Sequence, residues 1–377
     1  MNWLAIRMLL GNRAKYIAML FGITFASMLI CQQCSIFCGA MRMCTGQIRD
    51  VQDAPIWVLS PQTRYIDDLD PLAEQKVEEV RSVPGVAWAV PLQKGYGRVH
   101  MDDGRFQQVI LLGLDDATLV GSPRSMILGQ LADIDKPDAV IIDEVGYQLL
   151  WPGQALAIGK EMTLNGRRAL IVGICRASLT FQTLPIFYAR RSQAAHYLPP
   201  EPKTVSAILV QAQDGLPLAE VCARIHSETG LLALTEDQWA WRTINHYLTR
   251  TGLLLNFATT VLLGLMVGVA ISGQSFYTFT VENLPQFGML KAMGVSDLRL
   301  VGMIVMQAAI VASIGYGLGV GLAAVYGEAT RGHTKLVFHM PWQVLVLTGA
   351  GILLVTGATS LVSISRVIRL EPAIIAR

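Results

Sequence analysis

Four stretches of this chain contain no Asp, Glu, Lys or Arg: Tyr16–Met41, Thr251–Val281, Leu300–Gly327 and Leu336–Ser365. A bilayer core about 30 Å thick is crossed by about 20 apolar helical residues rising 1.5 Å each, and every one of the four is longer than that. Together they take about 115 of the 377 residues. The 58 charged residues therefore fall in the other 262 or so, at about 22%, close to the roughly 25% of soluble domains. This is the pattern of an ordinary soluble domain joined to four membrane spans. It argues against a cytosolic enzyme, a nucleic-acid binder or a disordered scaffold. The formal net charge of +2 says nothing about partners.

The first stretch follows Arg7, Arg13 and Lys15, as a signal peptide would. The polar region ahead of it is too long, however, the apolar run exceeds a signal core, and no small-x-small cleavage site follows. It therefore reads as a span. Residues 1–15 read as an interfacial helix, with Trp3, Leu4, Ile6, Leu9 and Leu10 interleaved among the cations so that it can lie along the headgroups of membrane lipid. Lys and Arg concentrate on the cytoplasmic side of a membrane protein. With the N-terminus inside, the spans are expected at 16–41, 251–281, 300–327 and 342–365. Residues 42–250 then lie outside, 282–299 inside, 328–341 outside and 366–377 inside. Over the short segments the cytoplasmic side leads by about eight cations to two. The two dissenters are Arg331 and Lys335.

The segment 42–250 reads as globular. Ile56–Leu59 is a short apolar run ending at Ser60-Pro61, hence a strand and a turn. Pro71–Val83 has helical periodicity and stops at Pro84-Gly85. Val86–Val90, Gln107–Leu114, Thr204–Val210 and Leu231–Leu234 read as strands, and Leu218–Thr229 as a helix ended by Gly230. Between them lie strands at Ala139–Ile142, Glu161–Leu164 and Arg168–Ile174. The expectation is two lobes: an α/β lobe over about 50–120 and 203–240, and a β-rich lobe over about 121–202 inserted within it. The fold class is thus an α-helical membrane protein with four transmembrane helices and a large extracytoplasmic domain, α/β plus β-rich, between the first two.

Motifs for catalysis are missing. There is no G-x-x-x-x-G-K-[ST] loop to cradle phosphate, no H-E-x-x-H, no G-x-S-x-G and no paired C-x-x-C. Gly315, Gly317, Gly319 and Gly321 superficially resemble a dinucleotide loop, but they lie within a span with no strand ahead of them. The pairs Gly315/Gly319, Gly317/Gly321 and Gly264/Gly268 read instead as small residues that let membrane helices approach. Cys31, Cys34 and Cys38 share one helix face without a His or acid to complete a metal set, and read as packing. Cys175 and Cys222 could form a disulfide only if the fold brings them together. Asp67, Asp68 and Asp70, and the pair Asp102 and Asp103, read as solvated turns. No catalytic, cofactor-binding or metal-ligating residue is assigned.

The segment between the second and third spans carries the most information. It reads ENLPQFGMLKAMGVS over Glu282–Ser296. After Pro285 it suits a short amphipathic helix with Phe287, Leu290 and Met293 as one apolar edge, capped by Gly294. Such a helix on the cytoplasmic side, joined to two spans, can pass force between a soluble partner and the membrane.

This segment resembles the coupling loop of the FtsX/MacB-type ABC transporter permeases, of the form E-[FIY]-G/A-x-L-K-A-[ILM]-G-[AVY]-[ST]. The opening LAIRMLLGNRAKYIAMLFGIT resembles that family's entry helix and first span, and the ending SRVIRLEPAIIAR its C-terminal signature. Within the family the likeness is greatest to the DevC-like exporter permeases, through Leu59–Tyr65, Val109–Asp115, Asp138–Glu144, Ile171–Phe181 and Leu290–Asp297. Gln286 stands where the family often has an acid, and the basic residues upstream are missing. The resemblance implies that Gln286, Phe287, Gly288, Leu290, Lys291, Met293 and Gly294 couple the chain to a separate ABC ATPase subunit, with Lys291 at the rim. It implies a homodimer in the bacterial inner membrane with the large domain in the periplasm, a periplasmic adaptor (membrane fusion) protein, an outer-membrane channel and no nucleic acid. No cofactor is expected in this chain, ATP being bound by the ATPase. The implied function is efflux, with ATP-driven motion transmitted to the outer domain, and the near absence of charge from the spans fits a substrate handled outside. Two other readings stand beside it: an FtsX-like scaffold that regulates envelope enzymes, and a membrane-anchored enzyme, for which no catalytic set is visible.

Overall fold

The structure, a computed structural model, describes residues 2–51, 53–101, 104–199, 204–330 and 337–368. The chain forms two compact units, one of residues 41–251 and one of 1–40 with 252–377. Helix α1 (Asn2–Gly11) is followed at once by α2 (Arg13–Asp50), a single helix of 38 residues that runs from the second of these units into the first.

The unit 41–251 opens with β1 (Ile56–Leu59), β2 (Leu72–Ala73), α3 (Gln75–Arg81), β3 (Val86–His100), β4 (Phe106–Leu114) and β5 (Ser125–Leu128). It continues with β6 (Ala139–Asp143), α4 (Glu144–Leu150), β7 (Glu161–Leu164), β8 (Arg167–Arg176), β9 (Ile186–Arg190) and α5 (Arg191–Tyr197). It ends with β10 (Thr204–Val205), β11 (Ala207–Ala212), α6 (Leu218–Thr229), β12 (Leu232–Thr235) and α7 (Glu236–Arg250). Ten of the strands make one sheet in the order β12-β1-β11-β3-β4-β9-β6-β8-β5, with β7 pairing β3 and β8. The pairs β4–β9 and β6–β8 are parallel.

The alternation of side chains along each strand separates the cores. Ile56, Val58, Ile208 and Val210 pack with Val77 and Val80 of α3 and Val221 and Ile225 of α6. On the other face, Trp57, Leu209, Val90, Leu92, Ile110, Ile141 and Tyr188 share one core with Ile48 at the end of α2 and Trp239 of α7. A third core gathers Val99, Val109, Leu111, Val140, Ile142 and Phe187 with Tyr147 of α4 and Ala194 of α5. Each fully buried aliphatic or aromatic side chain stabilises the fold by about 1.5–3 kcal/mol.

The sheet differs from a lobe inserted at residue 121. Strand β3 runs for 15 residues and pairs β11 through its first half and β4 through its second. Strand β4 lies beside β9, so both parts of the domain hang on one strand. Pro91 and the glycines at 95 and 97 interrupt the apolar pattern after Val90, where a sequence reading ends the strand. A second correction concerns Asp67, expected in a solvated turn. Its side chain is 5% exposed and is paired with Lys94. Asp70 accepts a hydrogen bond from the Ser60 hydroxyl at 2.5 Å. Asp102 and Asp103 lie outside the described residues.

The remaining helices are α8 (Leu253–Glu282), α9 (Leu284–Ala292), α10 (Asp297–Thr330) and α11 (Trp342–Ile368). Among the described residues four helices, α2, α8, α10 and α11, are long and apolar enough to cross a membrane. Close packing depends on missing side chains. A Cβ on Gly319 would stand 2.5 Å from Ser27 Cβ and 2.6 Å from the Thr24 carbonyl oxygen, and one on Gly268 2.6 Å from Ala26 Cβ. Gly317 and Gly321, by contrast, face nothing within 4 Å. Cys31 packs with Ala323 and Val344 in this unit, its thiol 3.5 Å from the sulfur of Met340. Cys175 and Cys222 are free thiols in two different cores. The loop expected at 328–341 and the tail at 366–377 fall partly outside the described residues.

Candidate functional site

Helix α9 is a short connector with a defined beginning and end. Pro285 sits in its first turn, where a missing N–H costs nothing. Asn283 ties it to α8 by donating its side-chain amide to the Phe279 carbonyl at 2.7 Å. At the other end Gly294 adopts a left-handed backbone, φ +88°. Its N–H donates to the Lys291 carbonyl at 3.0 Å, and that of Val295 to the Leu290 carbonyl at 3.1 Å. These two bonds and the apolar pair Leu290/Val295 make a Schellman stop, which needs glycine at this position.

The faces of α9 are unequal. Phe287 is buried, 1% exposed, in a cluster with Ala5 and Met8 of α1 and Leu300, Met303 and Ile304 of α10. Leu284, Leu290 and Val295 pack around that cluster. The Gln307 side chain donates to the Ala5 carbonyl at 2.8 Å, so a buried polar bond joins α1 to α10 nearby. Lys15 pairs with Glu282 at the end of α8. Lys291 pairs with Asp297 at 2.8 Å across the turn into α10. The opposite face is Pro285, Met289, Ala292 and Met293, at helical spacing, and all four are exposed. Met289 is 55% exposed, Met293 73% and the neighbouring Leu298 82%.

The residues singled out from sequence therefore divide. Gln286, Met293 and Gly294 are exposed, Leu290 and Lys291 half-buried, and Phe287 and Gly288 buried. Phe287, Leu290 and Met293 do not form one exposed edge. Positions three apart drift by 60° around a helix at each step, and by Met293 the drift has carried the side chain from the inner face to the outer one. Pro285, Met289, Ala292 and Met293 are left outside because Phe287 packs against α1 and α10. This arrangement offers a partner a soft, methionine-rich apolar surface on a rigid elbow. It holds no acid–base or nucleophilic set, and among the described residues no cluster of His, Cys, Asp and Glu could hold a metal ion.

Comparison with known proteins bears on the whole chain. Residues 17–228 match the model of the MacB-like periplasmic core domain, more than half of the sequence. Residues 258–372 match that of the FtsX-like permease C-terminal domain. A search of curated proteins returned no match. Among solved structures, the periplasmic region of MacB from Actinobacillus actinomycetemcomitans is similar at 15% identity and a TM-score of 0.38, over 50% of this chain and 92% of that one. The extracellular domain of the noncanonic ABC-type transporter YknZ from Gram-positive bacteria is similar at 12% identity and a TM-score of 0.35, over 48% and 98%. The two family models account for both units in the order the chain presents them, and on that ground the protein belongs to the FtsX/MacB-type family of ABC transporter permeases.

Proposed function

We propose that this chain is the permease subunit of an ABC-type efflux complex in a bacterial inner membrane, with residues 42–250 in the periplasm. A separate ATPase binds and hydrolyses ATP and docks on α9. The complex is a homodimer of this chain with two ATPase subunits, extended by a periplasmic adaptor and an outer-membrane channel. The observation that carries the reading is the two-faced connector: Phe287 anchors α9 to α1 and α10 while Met289 and Met293 remain open. Force applied to the outer face then reaches α8 and α10 through packed side chains and not through a loose loop. The long helix α2, which enters the outer domain without a break, supplies a route onward.

The experiment is reconstitution with the cognate ATPase. The chain alone neither binds nor hydrolyses ATP, lacking a phosphate loop. Together the two subunits show substrate-stimulated hydrolysis, and Met289→Glu with Met293→Glu abolishes the stimulation. ATP turnover by the isolated chain, or full stimulation in the double variant, overturns the assignment. Labelling of Ser122→Cys from outside intact cells checks the orientation.

A further inference from the structure

The last turns of α7 carry a basic stripe. Arg242, His246 and Arg250 recur every four residues and share a face, with Asn245 and Thr249 beside them. Arg64, from the turn after β1, completes a groove of about 600 Å³ lined by these six residues and by no acid. The groove has a fixed floor. Trp239, Ala240, Thr243 and Tyr247 bury the other face of α7. The ring of Tyr65 stacks on His246 with centroids 4.1 Å apart and meets Tyr247 edge-on at 5.5 Å, which holds the turn bearing Arg64 against the helix. Arg242, an exposed residue, donates one N–H to the Thr63 carbonyl at 3.1 Å.

Around His246 the cations outweigh the acids. The acids of α7, Glu236 and Asp237, lie at its far end, where Arg49 bridges both. Among the described residues Asp68 is the carboxylate whose charge reaches His246, and it opposes Arg250 and Arg64. Burial and the two guanidiniums win, and the imidazole is held below its ordinary value. The position in the chain is also specific. Arg250 stands three residues ahead of Leu253, where the apolar helix α8 begins, a path of about 11 Å at most. Trp241, next to Arg242, is 63% exposed, and exposed tryptophan is enriched at the level of lipid headgroups. Cations this near a span on the outer side run against the Lys/Arg bias and call for an anion.

We infer that the groove formed by Arg64, Arg242 and Arg250 binds the anionic headgroup of a membrane lipid, the guanidinium forks taking its phosphate oxygens. Arginine is suited to this because its planar fork matches two phosphate oxygens at once. The apolar helix that follows Arg250 in the sequence favours a phosphate carried on acyl chains over a free one. The leaflet, though not the headgroup chemistry, rests on the outward orientation proposed above.

The test uses the full chain in nanodiscs of phosphatidylcholine with a minor fraction of phosphatidylglycerol, the retained lipid being counted by native mass spectrometry. The wild type retains phosphatidylglycerol selectively. R64S/R242S/R250S weakens that retention on the order of a hundredfold, as the loss of three cations at an anionic surface should. R98S/R167S/R176S, which removes three exposed arginines of the same domain, leaves it unchanged. The single variants R64S and R250S, each expected to lose about fivefold, keep the test open should the triple variant not fold. No loss, equal loss in both triples, or displacement of the lipid by inorganic phosphate overturns the inference. Lipid retention without outward labelling of Ser122→Cys would sink the orientation and leave the headgroup site standing. Outward labelling without retention would do the reverse.

Discussion

The ammonium of Lys94 lies 2.9 Å from Oδ1 of Asp67, and the two side chains are 4% and 5% exposed. The same ammonium donates to the Gln47 side chain at 2.6 Å and to the Ile66 carbonyl at 2.9 Å. The second Asp67 oxygen accepts from the Tyr247 hydroxyl at 2.8 Å. One buried ion pair thus joins the end of α2, the centre of β3 and the last turns of α7. Burial pushes the Lys94 pKa down while Asp67 pulls it up, and burial raises that of Tyr247.

Removing one member of such a pair leaves the other charged and enclosed, at a cost of about 3–5 kcal/mol. Lys94→Met should therefore destabilise the domain by that amount, read from denaturation followed by tryptophan fluorescence. The double variant Lys94→Met/Asp67→Leu should recover much of the loss, since no charge is then stranded. A single variant within about 1 kcal/mol of the wild type would show that the pair is not held as described.

Phe287 and Met293 should separate stability from docking. Phe287→Ala empties the cluster between α1, α9 and α10 and should cost about 3–5 kcal/mol. The expected readout is a lower melting temperature of the chain without any ATPase present. Met293→Glu lies on the open face and should leave the melting temperature unchanged. It should weaken ATPase binding by about tenfold or more, as loss of an apolar contact at the centre of an interface does. The opposite pattern would place the docking edge on the inner face.

The legible parts of this fold are those with a period or a stop written locally. The charge-free stretches, the helix Leu218–Thr229 and the glycine stop at Gly294 all belong to that kind. Lys94 was illegible because nothing beside it marks burial, and its partner lies 27 residues away in sequence. The reach of β3 was hidden for a related reason. Gln93–Arg98 pairs with β4 through backbone bonds that do not require apolar alternation. On α9 both faces are apolar, so the choice of outer face depended on the neighbours α1 and α10, which no local pattern reveals. The basic groove has no local signature, because Arg64 joins the α7 stripe through tertiary contacts, the stacking of Tyr65 on His246 and the bond from Arg242 to the Thr63 carbonyl.

Glycine positions within one helix should behave oppositely. Gly319→Leu drives a side chain into Ser27 and the Thr24 carbonyl, where backbone cannot yield cheaply. Overpacking of this kind costs at least about 1–3 kcal/mol, and the helices α2 and α10 should separate or fail to assemble. Gly317→Leu meets open space and should leave the melting temperature of the monomeric chain as it was. Equal effects at the two positions, measured in detergent, would contradict the packing of α10 on α2.

Asp143 offers a test by pH. It ends β6 and caps α4, accepting from the Gly146 N–H at 2.8 Å and the Ile186 N–H at 2.6 Å, with 3% of its surface exposed. Burial pushes its carboxyl up to about 6, although the two N–H bonds pull the other way. The unfolded chain holds this proton only below about 4. Between those values the folded protein binds a proton that the unfolded chain has released. Its contribution to stability is therefore full below about pH 4 and is lost as the pH rises to about 6. Asp143→Asn does not titrate and strands one of the two N–H groups, costing about 1–3 kcal/mol at low pH. The gap between wild type and Asp143→Asn should then shrink by up to about 1.4 kcal/mol per pH unit across that window and stay constant above it. Denaturation midpoints of both proteins from pH 4 to 7 give the answer. A gap that widens with rising pH would mean that the two N–H bonds outweigh burial and hold the carboxylate ionised.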